Sequence, residues 1–212
     1  DRVKWLSSAL LDMGIVKGDA IALLGDNRPE WVWGEVAAHA MRCYSIGIYQ
    51  DSMHEEVAYL LDSSGATVVI AENEEQCDKL LELGDDIPKV KYIVYCDPRG
   101  MRKYNDPRLV DVDALYKLGQ EIDKARPEYY SELVESTTPE DISIYCTTSG
   151  TTSKPKIALL NGGNFVQHCS SYLRADPREA GDNYVSVLPL PWIMEQVYAV
   201  GQALISRQIV NF

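Results

Sequence analysis

Several function classes lack the residues they would need in this chain. Across 212 residues there are 3 His and 5 Cys. Cys43, Cys77, Cys96, Cys146 and Cys169 stand far apart, form no C-x-x-C pair and are odd in number. That spacing argues against a disulfide framework and against a zinc site. Thiols set inside apolar runs are expected buried and free, so the compartment reads as reducing, hence cytoplasmic. His39, His54 and His168 have no ligand spacing either and read as structural or surface residues. No apolar run approaches the roughly 18 residues that a bilayer crossing needs, and no leader pattern opens the chain.

Positive charge is also scarce. Twenty Lys and Arg face 32 Asp and Glu, for a formal net charge of −12. Such a field repels nucleic acid and anionic lipid surfaces, so no nucleic-acid partner is expected. A bound polyanion would need charge concentrated at one place. Lys154 and Lys156 form one concentration; Arg99, Arg102 and Lys103 form another, read as an exposed turn. Two familiar phosphate loops are missing as well. The G-x-x-x-x-G-K-[ST] pattern fails because Pro155 follows Lys154, and G-x-G-x-x-G does not occur.

What remains is an ordinary globular composition, 46% hydrophobic and 25% charged, long enough for a sizeable core. Helical spacing of Val3, Leu6, Leu10 and Leu11 opens the chain in mid-pattern, as if inside a domain, and Gly14 stops it. Apolar runs at 19–26, 44–49, 66–71, 90–96, 142–146, 157–160, 183–190 and 207–212 read as strands. Helices are expected at 27–41, 52–65, 73–84, 111–122, 163–174 and 192–204. Asn27 or Arg28 is the expected cap of the second helix, and Ser52 with Glu55 the capping box of the third. Residues 97–110 read as a loop, and "PEYYSEL" (127–133) as a surface turn. Strands alternating with helices predict an α/β fold with largely parallel sheets flanked by helices. The polar stretch "ESTTPED" suggests a first α/β subdomain over 1–135 and the start of a second over 136–212. The closing strand has no helix after it, so the chain reads as incomplete at both ends.

One stretch asks for a chemical explanation: "IYCTTSGTTSKPKIALLNGGN", residues 144–164. A glycine among hydroxyl residues, between two short strands, lets the backbone turn tightly and approach a ligand closely. Successive backbone N–H groups in such a turn form an anion site. The hydroxyls of Thr148, Ser149, Thr151 and Thr152 add donors, and Lys154 and Lys156 add charge that phosphate oxygens can use.

"YCTTSGTTSKPK" resembles the phosphate-binding signature of the adenylate-forming superfamily, Y-T-S-G-T-T-G-x-P-K-G-V. That superfamily includes acyl-CoA synthetases, luciferases and peptide-synthetase adenylation domains. Thr148, Ser149, Gly150, Thr151, Thr152, Pro155 and Lys156 match in type and spacing, and Asn164 matches a downstream asparagine. Ser153 and Ile157 stand where the signature has glycine, and Gly162 where histidine is frequent. "VKGDAIALLGDNRPEWV", "GIYQDSMHEEVAYLLDSSGATVVIAE" and "VSVLPLPWIMEQ" are similar to further segments of the family, particularly of its long-chain fatty acyl-CoA synthetases. The resemblance covers nearly the whole chain and implies the large N-terminal domain of that fold. It implies activation of a carboxylic acid, medium or long fatty acids first, by ATP and Mg²⁺, with transfer to coenzyme A. In that scheme Thr148, Ser149, Gly150, Thr151, Thr152, Lys154 and Lys156 hold the triphosphate. Thr148 lies nearest the metal, Lys156 neutralises developing charge, and Trp192 lines or gates the acyl tunnel with Glu195 nearby. Long-chain members meet lipid-borne substrates, so the tyrosines of 127–133 could touch a membrane surface peripherally. The family's downstream motifs are absent, and the piece alone is expected to be inactive. Activation of an aryl or amino acid and a non-catalytic, degenerate module are the alternative readings.

Overall fold

The computed structural model describes residues 1–148 and 155–212. Its centre is β1 (Ala20–Leu24), five apolar residues buried along the whole strand. A run without polar alternation suits a strand covered on both faces. Ile21 and Leu23 enter a core with α1 (Arg2–Asp12), α2 (Pro29–Ala40) and α5 (Val112–Ala125). Ala20, Ala22 and Leu24 enter a second core on the opposite face. There α3 (His54–Ser64) and α4 (Glu74–Leu83) contribute Val57, Leu60, Leu61, Cys77 and Leu80.

Around β1 lie β2 (Tyr44–Ile48), β3 (Ala66–Ala71), β4 (Tyr92–Tyr95) and β5 (Leu109–Asp111), with β6 (Ile142–Thr148) and β7 (Lys156–Asn161) beyond β2. The seven-stranded order is β5-β4-β3-β1-β2-β6-β7. Neighbours are parallel except the antiparallel pair β6–β7. The crossover from β1 to β2 runs one way along the sheet through α2. Those from β2 to β3 and β3 to β4 run the other way, through α3 and α4 on the other face. Opposite directions on opposite faces are what one crossover handedness requires. The α/β architecture with a mostly parallel, helix-flanked sheet is therefore as the alternating pattern predicts.

After the sheet come α6 (Tyr129–Glu135), ahead of β6, and α7 (Gly162–Ala175), after β7. A small parallel pair follows, β8 (Asn183–Val185) with β9 (Ile209–Asn211). Between them one helical stretch runs through α8 (Ile193–Glu195), a π-helical segment (Gln196–Gln202) and α9 (Ala203–Ser206). Gly201 sits in the π segment where an added Cβ would lie 2.3 Å from the Cys169 sulfur of α7. The wider helix brings backbone and thiol together, and such segments recur at functional sites.

Four local expectations need correction. Ser52 does not cap α3: the N-cap is Met53, without a side-chain cap bond. The Ser52 amide instead turns back to the Tyr49 carbonyl, two residues before the helix begins. Residues 97–110 are not all loop. Leu109–Asp111 adds a fifth parallel strand beside β4, too short to show periodicity and hidden behind Pro107. The strand expected at 183–190 ends at Val185, because Pro189 and Pro191 cannot donate to a ladder. Of the two caps expected for α2, Arg28 holds the position, without a side-chain bond. "PEYYSEL" folds into α6, where the Arg126 guanidinium stacks 4.2 Å from the Tyr129 ring centre and Leu133 packs on the core. Gly65 stops α3 in the left-handed conformation, φ 69°, as expected. All five cysteines are free, with Cys43, Cys77 and Cys169 buried. Burial pushes the Cys43 and Cys77 thiols up to about 12, which leaves them inert.

Candidate functional site

In doubly wound sheets ligands bind beyond the carboxyl ends of the strands, where successive crossovers diverge. Here that place lies between β1 and β3, and it is filled. Arg28 Nη1 reaches Glu72 Oε1 at 3.2 Å, and the Asp26 amide donates to Glu72 Oε2 at 2.7 Å. Gly25 has φ 159°, near extended, and a Cβ there would lie 2.6 Å from Glu72 Cβ. What remains between these groups is a cavity of about 10 Å³, room for a single water.

The open chemistry lies on the other side of the sheet. β6 pairs with β2 only at Ser45–Ile144 and Ile46–Tyr145, then continues into the antiparallel ladder with β7. Tyr145 stacks on Tyr44 at a centroid separation of 3.9 Å. At the far end of the ladder Thr148 stands opposite Lys156, and Thr148 Oγ1 donates to the Lys156 carbonyl at 3.3 Å. Both residues are exposed. A hydroxyl residue and a lysine thus stand opposite each other where the hairpin opens. Tyr59 of α3 donates to the Pro155 carbonyl at 2.9 Å and ties that end to the main body. Ile157, where the family signature has glycine, packs against the α3–α4 core and anchors β7. Ser149, Gly150, Thr151, Thr152 and Lys154 lie outside the described residues.

Trp192 and Glu195 come close to this hairpin from a distant part of the sequence. Trp192 is the N-cap of α8 and 46% exposed, so it is a surface aromatic rather than a core one. The next amide, Ile193 N–H, faces the Cys146 thiol on β6. Glu195 is fully buried, and both its oxygens are engaged. Tyr184 donates to Oε2 at 2.7 Å and Ser186 to Oε1 at 2.6 Å. It can hold structure; it has no exposed oxygen for a ligand. Pro191 rests on Gly47 of β2, where a Cβ would lie 2.7 Å from Pro191 Cα. Only glycine allows that approach.

Sequence reasoning missed two polar residues. Asn27 reaches across to the 186–190 turn. Glu35 lies wholly buried on α2, with Oε1 3.4 Å from Ser45 Oγ and, among the described residues, no hydrogen-bond partner for Oε2. Burial pushes the Glu35 carboxyl up to about 8, against the Ser45 hydrogen bond, so it is mostly protonated at neutral pH. His39, one turn on, contacts Ser45 Oγ at 3.1 Å, and burial pulls it down to about 4. Glu35 was detectable in the sequence. It stands four residues after Trp31 and three before Ala38, both buried, which puts a carboxyl on the core face. Close by, the Arg42 guanidinium bonds Asp141 through both carboxylate oxygens, at 2.8 and 3.0 Å, and holds that carboxyl well below the usual range. A separate groove of about 740 Å³ opens beside Ser143 and Gly162, at the opposite end of the hairpin from Lys156.

Among the described residues no group of three or more His, Cys, Asp and Glu could hold a metal ion, and no helix is long and apolar enough to cross a membrane.

Comparison with known proteins gives the class. The family model of AMP-binding enzymes matches residues 1–211, and the chain belongs to that family. Among curated proteins it is similar to the long-chain-fatty-acid–CoA ligase ACSBG1 of Rattus norvegicus, 28% identical over 198 residues. That match covers 91% of this chain and 27% of the relative. It is likewise 28% identical to long-chain-fatty-acid–CoA ligase 1 of Homo sapiens, over 91% of this chain and 28% of the relative. The chain thus spans little more than a quarter of the curated relatives it matches. Among solved structures, the anthranilate CoA ligase AuaEII in complex with anthranoyl-AMP superposes with a TM-score of 0.78 at 18% identity. It covers 100% of this chain and 38% of that one. The acetoacetyl-CoA synthetase from Streptomyces lividans gives 0.77 at 15%, over 99% and 32%. At such identities the two structures speak for the fold alone.

Proposed function

We propose that this chain is the triphosphate-holding part of an ATP-dependent acid–thiol ligase acting on medium or long fatty acids. The carrying observation is the end of the β6–β7 ladder, where Thr148 and Lys156 stand opposite each other. In the proposed reaction a fatty-acid carboxylate oxygen bonds to the α-phosphorus of ATP. The bond from that phosphorus to the bridging oxygen breaks, and pyrophosphate leaves. The sulfur of coenzyme A then bonds to the acyl carbon, and AMP leaves. Lys156 faces the charge that builds on the departing pyrophosphate, where a preorganised cation is most useful. The 149–154 segment would complete the cradle.

The donor set suits Mg²⁺ in one respect. Magnesium commonly takes few protein ligands and several phosphate oxygens, and the Thr148 hydroxyl is one exposed oxygen at the hairpin mouth. Bound there, the ion would supply charge neutralisation on the phosphates. Trp192, exposed beside the hairpin, is placed to bound the acyl group. Glu195, with both oxygens taken, would act by supporting the helix that follows Trp192. In this reading residues 1–135 form one unit and 136–212 begin a second. The compartment is cytoplasmic, in keeping with five free thiols.

Fatty-acid-dependent exchange of labelled pyrophosphate into ATP, in the full-length natural protein, tests the reading. Lys156→Ala should reduce exchange about 100-fold or more, with the melting temperature unchanged because Lys156 is exposed. Exchange driven by aryl or amino acids and not by fatty acids would move the substrate class. No exchange with any carboxylic acid would leave a non-catalytic module.

A further inference from the structure

We propose that Asn27 is a positioning residue that sets where Trp192 stands beside the phosphate-loop hairpin. Its side chain makes three hydrogen bonds to a turn about 160 residues away. Nδ2 donates to the Leu188 carbonyl at 2.6 Å and to Ser186 Oγ at 2.8 Å, and Oδ1 accepts from the Leu190 amide at 2.9 Å. An asparagine amide offers two donors and an oxygen with two lone pairs, and here both donors and one lone pair go to the same turn.

None of this serves the helix that Asn27 precedes. Arg28 is the N-cap of α2 and no side chain caps it. The backbone of Asn27 is fixed from the other direction. Its amide donates to Asp26 Oδ1 at 2.8 Å, and the Asp26 amide donates to Glu72, which Arg28 pairs. The filled crevice at the ends of β1 and β3 thereby becomes the rigid base from which Asn27 reaches out.

From that base the bonds run on without a gap. Ser186 accepts from Asn27 and donates to Glu195 Oε1, and Tyr184 donates to Glu195 Oε2. Glu195 lies one turn after Trp192, and the Glu195 amide bonds the Trp192 carbonyl at 2.9 Å. Pro191 is seated on Gly47, and Ile193 N–H faces Cys146. Trp192 is therefore an exposed residue in a turn held on both sides: by Asn27 before it and by Glu195 after it. An exposed indole with no hydrogen bond of its own among the described residues takes its position from those bonds.

Acting as a boundary for the acyl group, Trp192 needs a fixed place, and a displacement near 1 Å is enough to cost catalysis heavily. This inference rests on the functional reading given above for its consequence, but not for its geometry, and two readouts separate them. In the full-length protein labelled with 5-fluorotryptophan, the Trp192 resonance is assigned by its loss in Trp192→Phe. Asn27→Ala should shift or broaden that resonance and leave those of Trp5 and Trp33 in place. In the same variant the KM for fatty acid should rise about tenfold and chain-length preference should flatten, with the KM for ATP within twofold. Asn27→Asp keeps the acceptor for the Leu190 amide and should fall between wild type and Asn27→Ala; it serves if the alanine variant does not fold. An unmoved Trp192 resonance in a folded variant overturns the inference, whatever the activity. A moved resonance in a protein that exchanges no pyrophosphate keeps the positioning role and removes the ligase reading instead. Equal rises in the KM for ATP and for acid would make Asn27 a general structural residue and also overturn it.

Discussion

The five-stranded parallel body and the β6–β7 hairpin solve opposite problems. In the body, β1 is buried along its length and serves a core on each face. In β7, Lys156 and Leu159 are exposed and no residue is fully buried. The body is fixed mainly by apolar area removed from water; the hairpin is fixed by its own ladder, by a two-residue pairing to β2, by a few apolar anchors such as Ile157 and Tyr145, and by polar ties. A phosphate site needs backbone and hydroxyls left free for the ligand, so it belongs on the second kind of structure. Rigid scaffold and exposed loop divide the labour.

Matched truncations break or sharpen this contrast most strongly. Leu23 in β1 is completely buried, and Leu23→Ala should cost about 2–5 kcal/mol of unfolding free energy. Leu159 in β7 is 54% exposed, and Leu159→Ala should change stability by less than about 0.5 kcal/mol. Denaturant titrations of the two variants give the answer. Similar costs would mean that the hairpin is packed as tightly as the body.

The junction between the two regions should show in the pH dependence. Glu35 and Ser45 sit under the start of β6, and Ser45 Oγ also donates to the Ser143 carbonyl at 3.3 Å. The folded Glu35 carboxyl titrates near 8, above its ordinary 4.5. The native state therefore binds this proton more tightly than the unfolded chain does. Stability from Glu35 is complete below about 4.5, falls as pH rises through the window, and is gone above about 8. His39 works in the other direction: its folded value near 4 lies below 6.5, so it costs stability as pH falls through that interval. Between pH 6.5 and about 7.5, before the five raised thiols begin to ionise in the unfolded chain, the Glu35 slope dominates and should approach about 1.4 kcal/mol per pH unit. Glu35→Gln should flatten it. A wild-type protein equally stable at pH 6.5 and about 7.5 would show that Glu35 ionises freely.

How much could be read in advance follows the same division. The strands of the body announce themselves as apolar runs bounded by turn residues, and 66–71 matches β3 at both ends. Three-residue β5 escaped because an edge strand beside a proline carries too little periodicity to register. In the site, Thr148 and Lys156 stood out by residue type and by the resemblance of their stretch to a known signature; that they face each other across an antiparallel ladder comes from the structure. The commitment of both Glu195 oxygens was not legible, because Tyr184 and Ser186 reach it through a chain reversal that the sequence does not encode locally. The role of the Asn27 side chain went unread for a related reason. Its position just before a helix predicts a cap, and tertiary hydrogen bonds over a long separation override that local preference.

A smaller effect than that of the buried core concerns a polar tie at the hairpin mouth. Tyr59 Oη donates to the Pro155 carbonyl at 2.9 Å, so Tyr59→Phe should cost about 0.5–1.5 kcal/mol. That loss is a small fraction of the body's stability, and the melting temperature should hardly move. Its local effect should be larger, because β7 joins the body through few contacts. Amide exchange in β7 should quicken while β1 and β3 stay protected. The KM for ATP should rise a few-fold in the full-length protein, since Pro155 directly precedes Lys156 and a looser strand holds the ammonium less well. Faster exchange in β7 with an unchanged KM for ATP would separate the two. The ladder with β6 would then suffice to place Lys156, and the body would be a support for the hairpin without any say in how it meets phosphate.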